Sequence, residues 1–457
     1  MPQRKLDVVL DSVKRLQRMG ATSNLVNLLQ KQHPADLAQL YSELPEKDRV
    51  SIFSLLVERN SRLAMEALSE LGPEAAAAFL AGRSAEDIVK LTQELPSDDA
   101  AAIIDYLPEE LAAAVLELMQ KRPAGGDVGD LLEYAEQTAG RIMNPKVFAL
   151  SEDMTAGEAI TALQGSRDVE MVFYVYVIDA RRHLVGVVSL RRLLLVPPPT
   201  PLKRIMTTDL ISVRADMDQE EVARQVASYN LLAIPVVDEE NKLVGVITVD
   251  DVIDVIKDEA TEDVYRLAGV SGDDRVFTRP IESLRKRLPW LVVNLGTAFL
   301  AALVVSQFQG TIAIVTALAV FMPVVAGMGG NAATQTLTVI VRGIALGELT
   351  WSNTRKALLK EAAVGIGNGL ACGGIGAAIV WLTNGSYVLG LILGLAMIIN
   401  MVVAAVAGTL IPLSLRALKV DPALASSVFI TTLTDVFGFL SFLGLGALFL
   451  RYLHFAG

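Results

Sequence analysis

The sequence predicts a multidomain membrane protein: an acidic soluble half, first all-helical and then mixed α+β, is followed by a five-helix transmembrane half. Charge is segregated, because residues 1–287 hold 33 Lys and Arg and 47 Asp and Glu, whereas residues 288–457 hold 7 and 4. Long apolar runs fill the second half, and a strand–helix unit occurs twice in the first. The length of 457 residues suits two or more such domains.

Residues 1–130 are predicted to form an acidic, helical, solenoid-like domain. The segment 33–37 (HPADL) recurs loosely as 84–88 (SAEDI), and the Leu-Pro pair at 44–45 recurs at 95–96. A helix start, an amphipathic helix and a Leu-Pro break that opens the next helix are typical of repeated helical units. The turn-rich residues 123–130 predict a joint to the following domain.

Residues 131–200 and 201–257 are predicted to be two copies of one domain. Arg-Ile-Met at 141–143 recurs at 204–206, and Leu-Val-Gly at 184–186 recurs at 243–245. Each copy reads as strand, helix, strand, turn, strand and helix. These residues resemble a tandem pair of CBS domains, which pack as a pseudo-two-fold pair and often bind adenine nucleotides.

The resemblance implies ribose and phosphate contacts from a Ser/Thr-x-x-Asp pattern after the last strand. Thr248 and Asp251 match this pattern in the second copy, whereas Arg192 stands three residues after Ser189 in the first. We therefore expect at most one ordinary site for an adenine nucleotide such as ATP. A purely structural pair is the alternative.

Residues 258–287 are predicted to form a linker helix that reaches the membrane. An acid-rich segment, residues 250–274, leads into this linker, and its only basic residues are Lys257 and Arg266. Its nine acids are Asp250, Asp251, Asp254, Asp258, Glu259, Glu262, Asp263, Asp273 and Asp274. Several recur every three or four residues and so share one helix face. A solvated acidic face is the plain interpretation, and relief of carboxylate repulsion by divalent cations is the functional one.

Residues 288–457 are predicted to cross a membrane five times. The runs 288–341 and 362–415 each hold 54 residues without a charge, and Asp435 alone interrupts the run 422–450. Since about 20 apolar residues span a bilayer, breaks at 309–310 and 384–386 divide these runs. The expected spans are 289–308, 311–341, 362–383, 387–415 and 423–450.

The distribution of basic residues predicts the orientation in the cell or inner membrane. Lys and Arg flank the spans on the side of the soluble half, and only Arg451 lies on the other side. Basic loops stay in the cytosol, so we expect a cytosolic amino-terminal half and an outside carboxyl terminus. The single cysteine, Cys372, fits a reducing compartment. Residues 1–7 do not resemble a signal peptide.

Asp435 is the strongest functional signal in the sequence. A carboxylate at membrane depth is costly and usually marks an ion path, a proton relay or a buried partner. Capping of a broken helix is the structural alternative. The spans offer no Lys or Arg to neutralise this carboxylate, so a metal cation or a proton is expected to do so.

A segment with a proline and three glycines, residues 323–331, predicts irregular backbone inside the second span. Irregular backbone at membrane depth is tolerated where it lines a watery cavity, and freed carbonyls suit a hard cation. Close helix packing is the alternative role for the glycines. The candidate pore-lining residues are Pro323, Gly329, Gly330, Asn331, Gln335, Asn400, Ser427 and Thr434.

The domain order, with residues 323–335, 421–424 and 433–438, resembles the MgtE family of magnesium channels and transporters over nearly the whole chain. The resemblance implies a homodimer with a pore on its two-fold axis. It implies that Asp435 faces a hydrated Mg²⁺, with a contribution from the carbonyl of Thr431. It also implies that the linker is a plug helix, through which the soluble half closes the pore when cytosolic Mg²⁺ is high.

The resemblance further implies regulatory magnesium sites on acidic residues of the soluble half. Four positions depart from the family pattern: Asn230 and Ala102 where acids occur, Ala333 in the glycine-rich segment, and Ser427 where an Asn occurs. We expect altered sensing or selectivity from these. The candidate regulatory ligands are Asp98, Asp218, Glu220, Asp250, Asp251, Asp254, Glu259, Glu262 and Asp263.

We therefore predict a homodimeric, Mg²⁺-selective channel for passive uptake that cytosolic Mg²⁺ closes. One alternative is a secondary carrier that uses Asp435 as its coupling site, and another is a membrane-anchored nucleotide sensor. The acidic soluble half argues against nucleic acid as a partner. We expect no enzyme, because His33, His183 and His454 are scattered and no Walker-type loop is present.

Overall fold

The computed structural model describes residues 3–121, 126–166, 173–270, 274, 276, 278–423 and 426–453. Several predicted features therefore lie outside the described residues: residues 123–125 of the joint, Asp273 of the acidic linker, residue 424 of the 421–424 motif, and His454. The chain divides into two compact units, Met1–Ile256 and Lys257–Gly457.

The first unit begins with helices only, as predicted. Among the described residues these are α1 (Gln3–Arg18), α2 (Thr22–Leu29), α3 (Pro34–Glu43), α4 (Glu46–Arg59), α5 (Ser61–Ser69), α6 (Pro73–Leu80), α7 (Ala85–Thr92), α8 (Ser97–Asp105), α9 (Glu109–Gln120) and α10 (Gly126–Glu133).

The sequence repeat at offset 51 corresponds to equivalent helix starts. His33 caps α3, where its Nδ1 accepts from the N–H of Ala35 at 3.3 Å, and the Ser84 hydroxyl caps α7 by accepting from Asp87 at 3.2 Å. Pro45 and Pro96 stand directly before α4 and α8. The side chains of His33 and Ser84 each satisfy a backbone N–H that has no partner within the first helical turn. His33 is exposed, so it has a structural role as a cap.

An aromatic cluster anchors the core of this helical domain. The rings of Tyr41, Phe53 and Phe79 lie 5.6–6.4 Å apart, and the Arg83 guanidinium lies 5.2 Å from the centre of the Phe53 ring. Tyr41 and Phe53 are fully buried, and each such side chain contributes roughly 1.5–3 kcal/mol. The same apolar core continues into the second repeat through Val222 and Ile234.

The repeated pair folds as predicted from strand and helix signals. Its elements are α11 (Ala139–Ile142), β1 (Ala149–Ser151), α12 (Ala156–Gly165), β2 (Tyr174–Ile178), β3 (Leu184–Ser189), α13 (Leu190–Leu195), α14 (Leu202–Ile205), β4 (Val213–Arg214), α15 (Gln219–Tyr229), β5 (Ala233–Val237), β6 (Leu243–Thr248) and α16 (Val249–Leu267). In each three-stranded sheet, the first strand is parallel and the third antiparallel to the central strand.

The recurring Arg-Ile-Met and Leu-Val-Gly motifs pack across the two copies. A Cβ at Gly245 would lie 2.4 Å from the sulfur of Met143, and one at Gly186 would lie 2.6 Å from the sulfur of Met206. Each methionine therefore lies on the bare glycine of the other copy's hairpin. This reciprocal contact explains why both motifs repeat together.

The linker is not the single helix that the sequence predicts for residues 258–287. Helix α16 continues from the second repeat through Leu267, and the next helix begins only at Pro280. Gly269, with φ of 70°, ends α16, and the N–H of Val270 returns to the carbonyl of Tyr265. This is the usual glycine-ended helix terminus, and Pro280 is well suited to open a new helix.

The second unit contains five helices that are long and apolar enough to cross a membrane, which confirms the predicted number within the described residues. The unit comprises α17 (Pro280–Gln307), α18 (Gln309–Ile314), α19 (Ala317–Ala345), α20 (Thr354–Asn384), α21 (Tyr387–Ala417), α22 (Ser426–Leu448) and α23 (Leu450–Leu453). The second span starts later than predicted because α18 is a separate short helix. At the predicted break between the third and fourth spans, Gly385 has a φ of 70°.

Candidate ion site and regulatory carboxylates

Asp435 lies on one face of α22 together with two other predicted residues. Ser427, Thr431 and Asp435 are spaced by four residues and therefore line up along the helix. Asp435 is half-buried and lines a cavity of about 450 Å³ between α17 and α22. Among the described residues of the lining there is no Lys or Arg. The others are Ala298, Ala301, Ala302, Val305, Ser306, Gln309 and Phe439.

The sequence reasoning missed two polar members of this cavity, Ser306 and Gln309. Both lie at the end of the first span, where we used Gln309 only as the break between two spans. A polar pair at a span end is a weak signal, because such residues also occur in exposed loops. The packing of α17 and α18 against α22 brings Ser306 and Gln309, respectively, to Asp435.

Thr434 does not line the predicted pore, because its side chain is fully buried. Its hydroxyl donates to the carbonyl of Thr431 at 3.0 Å. The carbonyl predicted to help hold the ion thus already accepts a side-chain hydrogen bond. The position next to Asp435 on a helix faces about 100° away from it, which explains why only one of the two residues reaches the cavity.

The glycine-rich segment is helical, so the predicted irregular backbone is wrong. Helix α19 runs without a break through Pro323 and the three glycines. Pro323, Asn331 and Gln335 are exposed on the described surface of α19, with Gly330 half-buried beside them. Thr334 and Thr338 turn their hydroxyls back to carbonyls of the preceding turn. The polar stripe is therefore real, but the backbone carbonyls of the segment are not released.

Two other predicted pore residues are buried between helices. Asn400 is 0% exposed, and its Nδ2 donates to the carbonyl of Val325 on α19 at 3.0 Å. Gly329 is buried against the same amide. Both residues belong to the packing of α19 against α21, and they do not line the cavity that contains Asp435.

Glu361 is a buried carboxylate that the sequence reasoning overlooked. It is 4% exposed on α20, and its two oxygens accept from the Thr336 hydroxyl at 3.2 Å and from Lys360 at 2.5 Å. It directly precedes the uncharged run 362–415, so it looked like the end of a loop. The structure places it eight residues into the helix.

Asp98 and Asp251 are predicted regulatory ligands whose charged forms are disfavoured by burial. Oδ1 of Asp98 is buried and has no hydrogen-bond partner among the described residues. Burial, and then the charges of Asp251 and Asp99, raise the pKa of Asp98 well above its usual value. Burial raises the pKa of Asp251 to about 7, while hydrogen bonds from Thr248 act in the opposite direction. A divalent cation would relieve this crowding.

The proposed nucleotide ligands Thr248 and Asp251 bond to each other at the start of α16. The Thr248 hydroxyl oxygen lies 2.7 Å from a carboxylate oxygen of Asp251 and 2.5 Å from one of Asp250, so its single proton is shared between them, and the Thr248 N–H donates to Asp251 at 3.2 Å. In the first copy, the Ser189 hydroxyl caps α13 by accepting from the N–H of Arg192. Hydroxyl and carboxylate are thus adjacent and partly exposed, which fits ribose recognition, but each already has a partner.

The remaining regulatory candidates are spread along two helices. Asp218 caps α15 by accepting from the N–H of Glu220 at 2.8 Å, and Glu220 pairs with Arg224 at 3.5 Å. Asp250, Asp254, Glu259, Glu262 and Asp263 follow one another on α16. Within the described parts of the chain, no three His, Cys, Asp or Glu are arranged to hold a metal ion. Mg²⁺ keeps several of its waters when bound, so one or two carboxylates suffice for it.

The end of α16, from Lys257 onward, belongs to the second unit and packs on the membrane helices of that unit. Arg266 forms ion pairs with Glu262 one turn earlier and with Asp421 in the loop between α21 and α22. Leu267 packs on an apolar cluster that includes Leu337 and Ile430. Burial raises the pKa of Asp263, while Arg266 and Arg342 act in the opposite direction.

Removal of the Asp98 charge is expected to stabilise the protein when Mg²⁺ is absent. A carboxyl group whose pKa is higher in the folded protein stabilises the fold at pH values below its unfolded pKa, near 4. This contribution is lost as the pH rises through the folded pKa, which is about 7 for Asp251. In Asp98→Asn we expect the free energy of unfolding at pH 8 to rise by roughly 1–3 kcal/mol. We also expect Mg²⁺ to stabilise this variant less than it stabilises the wild type. Thermal melting at pH 5 and pH 8, with and without Mg²⁺, measures both.

The exposed Asp209→Asn provides the control for this experiment. It removes the same charge at a site without burial and should leave the Mg²⁺ effect unchanged. An equal Mg²⁺ stabilisation in wild type and Asp98→Asn would remove Asp98 from the regulatory ligands.

Comparison with known families decides the identity of the chain. Residues 322–445 match the family model described as the MgtE divalent cation transporter, residues 32–137 match the MgtE intracellular N domain, and residues 139–197 and 202–258 match CBS domains. The magnesium transporter MgtE of Thermus thermophilus is 36% identical over 96% of this chain and 98% of its own length. The chain belongs to the MgtE family.

Other MgtE proteins and solved domains support this assignment. The Bacillus subtilis magnesium transporter MgtE is 33% identical over 96% of both chains. The soluble part of a magnesium transporter matches 56% of this chain and 99% of its own, with a TM-score of 0.51 and 29% identity. The cytosolic domain of the Mg²⁺ channel MgtE in complex with ATP matches 54% and 99%, with a TM-score of 0.50 and 37% identity. The MgtE resemblance and the CBS pair predicted from sequence are thus confirmed.

Proposed function

We propose that this chain forms a homodimeric, Mg²⁺-selective channel for uptake, with Asp435 of each protomer facing a hydrated Mg²⁺. The observation that carries the proposal is the position of Asp435. Its carboxylate lines an open cavity between α17 and α22, and no described Lys or Arg of the lining neutralises it. A cation is the natural counter-charge for such a group. The named relatives are magnesium transporters, which points to the same ion.

The exposed polar stripe of α19 supports the homodimer. Asn331, Gln335 and the nearby threonines form a polar face on an otherwise apolar span. Polar groups inside a bilayer face a bundle interior or a watery cavity. A second copy of the chain, packed on this face, would enclose the stripe in a shared pore.

We propose that cytosolic Mg²⁺ closes the channel by binding the regulatory carboxylates. Binding near Asp98 and Asp251 would relieve the repulsion that raises their pKa values. Helix α16 begins at this acidic site and ends with Arg266 and Leu267 against the membrane helices of its own unit. We therefore propose that α16 is the segment of the chain through which Mg²⁺ binding leads to closure. The amino-terminal half accordingly lies in the cytosol and the carboxyl terminus outside.

We also propose that the CBS pair binds an adenine nucleotide such as ATP through Thr248 and Asp251. A solved relative with 37% identity is an ATP complex, and this chain has the Thr248 hydroxyl directly before α16 and the Asp251 carboxylate in its first turn. The charge of Asp251 also raises the pKa of Asp98, so occupancy by a nucleotide and by Mg²⁺ would influence each other. Since MgtE relatives are transporters, we propose no enzymatic activity.

Electrical recording of the purified protein in lipid bilayers tests the transport class. We expect discrete Mg²⁺ currents set by the membrane potential, unaffected by an imposed pH gradient, and suppressed by millimolar Mg²⁺ on the cytosolic face. A carrier that uses Asp435 for coupling would instead give saturable uptake driven by a pH or sodium gradient, without unitary currents. ATP binding in the absence of any flux would favour the membrane-anchored sensor.

A further inference from the structure

Asn400 is a polar side chain enclosed by three membrane helices. It lies in the middle of α21 and is 0% exposed. Its Nδ2 donates to the carbonyl of Val325 on α19 at 3.0 Å, and its Oδ1 is buried with no hydrogen-bond partner in the described part of the chain. A buried amide at membrane depth is retained at a cost in free energy. It therefore needs an explanation beyond space filling.

Two helices approach this amide with bare backbone. A Cβ placed at Gly329 of α19 would lie 2.1 Å from Nδ2 of Asn400, and one placed at Gly438 of α22 would lie 2.7 Å from the same atom. Real Cβ atoms do not come this close, so a side chain at either position would displace the Asn400 amide, which is buried and hydrogen-bonded to Val325. Gly444, also on α22, has no such neighbour within 4 Å. Gly438 and Gly444 are thus two glycines of one helix, of which only Gly438 lies against Asn400.

The position of this contact links it to the candidate ion site. Gly438 follows Asp435 by three residues, which is less than one helical turn. A helix pinned at Gly438 has little freedom to rotate or slide at Asp435. On α19, the hydrogen bond to Val325 and the contact at Gly329 hold the segment that carries the polar stripe.

We propose that Asn400 is a positioning residue that sets the rotation and depth of α22 and α19, and thereby the place of the Asp435 carboxylate in the ion path. The inference rests on the proposed function for the role of Asp435. It assigns Asn400 no contact with the ion. The residue holds two helices at one buried point. Its amide donates to the carbonyl of Val325 and packs against Gly329 and Gly438.

The test combines single and double substitutions and measures both ion selectivity and melting temperature. Gly438→Ala should reduce Mg²⁺ flux at least about tenfold, since its Cβ collides with the amide, and Gly444→Ala should match wild type. Asn400→Ala should lower the preference for Mg²⁺ over Ca²⁺ while the protein still folds. Because it removes the colliding atoms, Gly438→Ala with Asn400→Ala should be no worse than Asn400→Ala alone. Asn400→Ser, which keeps a donor, replaces Asn400→Ala if that variant does not fold.

Each outcome distinguishes the positioning role from the proposed function. Additive losses in the double variant, or an unchanged Mg²⁺ preference in Asn400→Ala and Asn400→Ser, would overturn the inference. A third outcome is normal conduction in Asp435→Asn, with non-additive effects in the double variant on melting temperature but not on selectivity. This outcome would show that Asp435 is not the ion site. In that case Asn400 organises packing alone, and the positioning role is overturned with it.

Discussion

Asp435→Asn is expected to reduce Mg²⁺ flux into proteoliposomes about 100-fold or more at an imposed inside-negative potential. The substitution keeps the size of the side chain and removes its charge. A unit charge about 5 Å from a second one, at an effective dielectric constant near 20, contributes about 3 kcal/mol, or two decades, and a divalent ion feels more. Asp435→Glu keeps the charge and should retain part of the flux.

Glu348→Gln is the matched control for this experiment. Glu348 is an exposed carboxylate in the loop between α19 and α20 of the same unit, so its removal tests general effects of lost negative charge. We expect wild-type flux from this variant. Equal flux in Asp435→Asn and wild type would make the carboxylate structural, and the ion path would then have to be sought along residues 323–335 of α19.

Separation of Arg266 from Asp421 is expected to weaken closure of the channel by cytosolic Mg²⁺. The two side chains are partly buried, and their ion pair holds the end of α16 on the loop before α22. Loss of one partner from a partly buried, hydrogen-bonded charge pair costs roughly 1–3 kcal/mol. In Arg266→Gln or Asp421→Asn, we therefore expect the Mg²⁺ concentration for half-closure to rise about 5- to 150-fold.

A double-mutant cycle on closure identifies the pair as the cause. The double variant Arg266→Gln with Asp421→Asn should be little worse than either single variant, because the interaction is already lost in each. Arg285→Gln, at an exposed position on α17, removes a similar charge and should close normally. Unchanged half-closure in both single variants would mean that this ion pair does not stabilise the closed state.

Much of the architecture could be predicted from local patterns. The five spans follow from long uncharged runs, because the helices of a soluble protein need a polar face toward water. The repeated CBS units follow from strand alternation and from the recurrence of Arg-Ile-Met and Leu-Val-Gly. Asp435 stands out because one carboxylate in an apolar run is costly wherever the helix packs. These signals depend on chain composition and spacing, which precede any tertiary contact.

The direction in which each polar residue faces could not be predicted this way. Thr434 and Asp435 are neighbours in sequence, yet only Asp435 reaches the cavity. Asn400 and Glu361 are buried in helix contacts, and Gln309 lines the cavity from the short helix α18. The proline and glycines of residues 323–331 fit a continuous helix as well as a broken one.

The sequence by itself determined the domain order, the membrane half and the one carboxylate in the last span, Asp435. Only the tertiary structure decided which polar groups meet, where α16 ends against the membrane helices, and why Gly329 and Gly438 are glycines. The physical reason is that hydrophobicity and charge act on each segment separately, whereas helix rotation is settled by close packing between segments far apart in the chain.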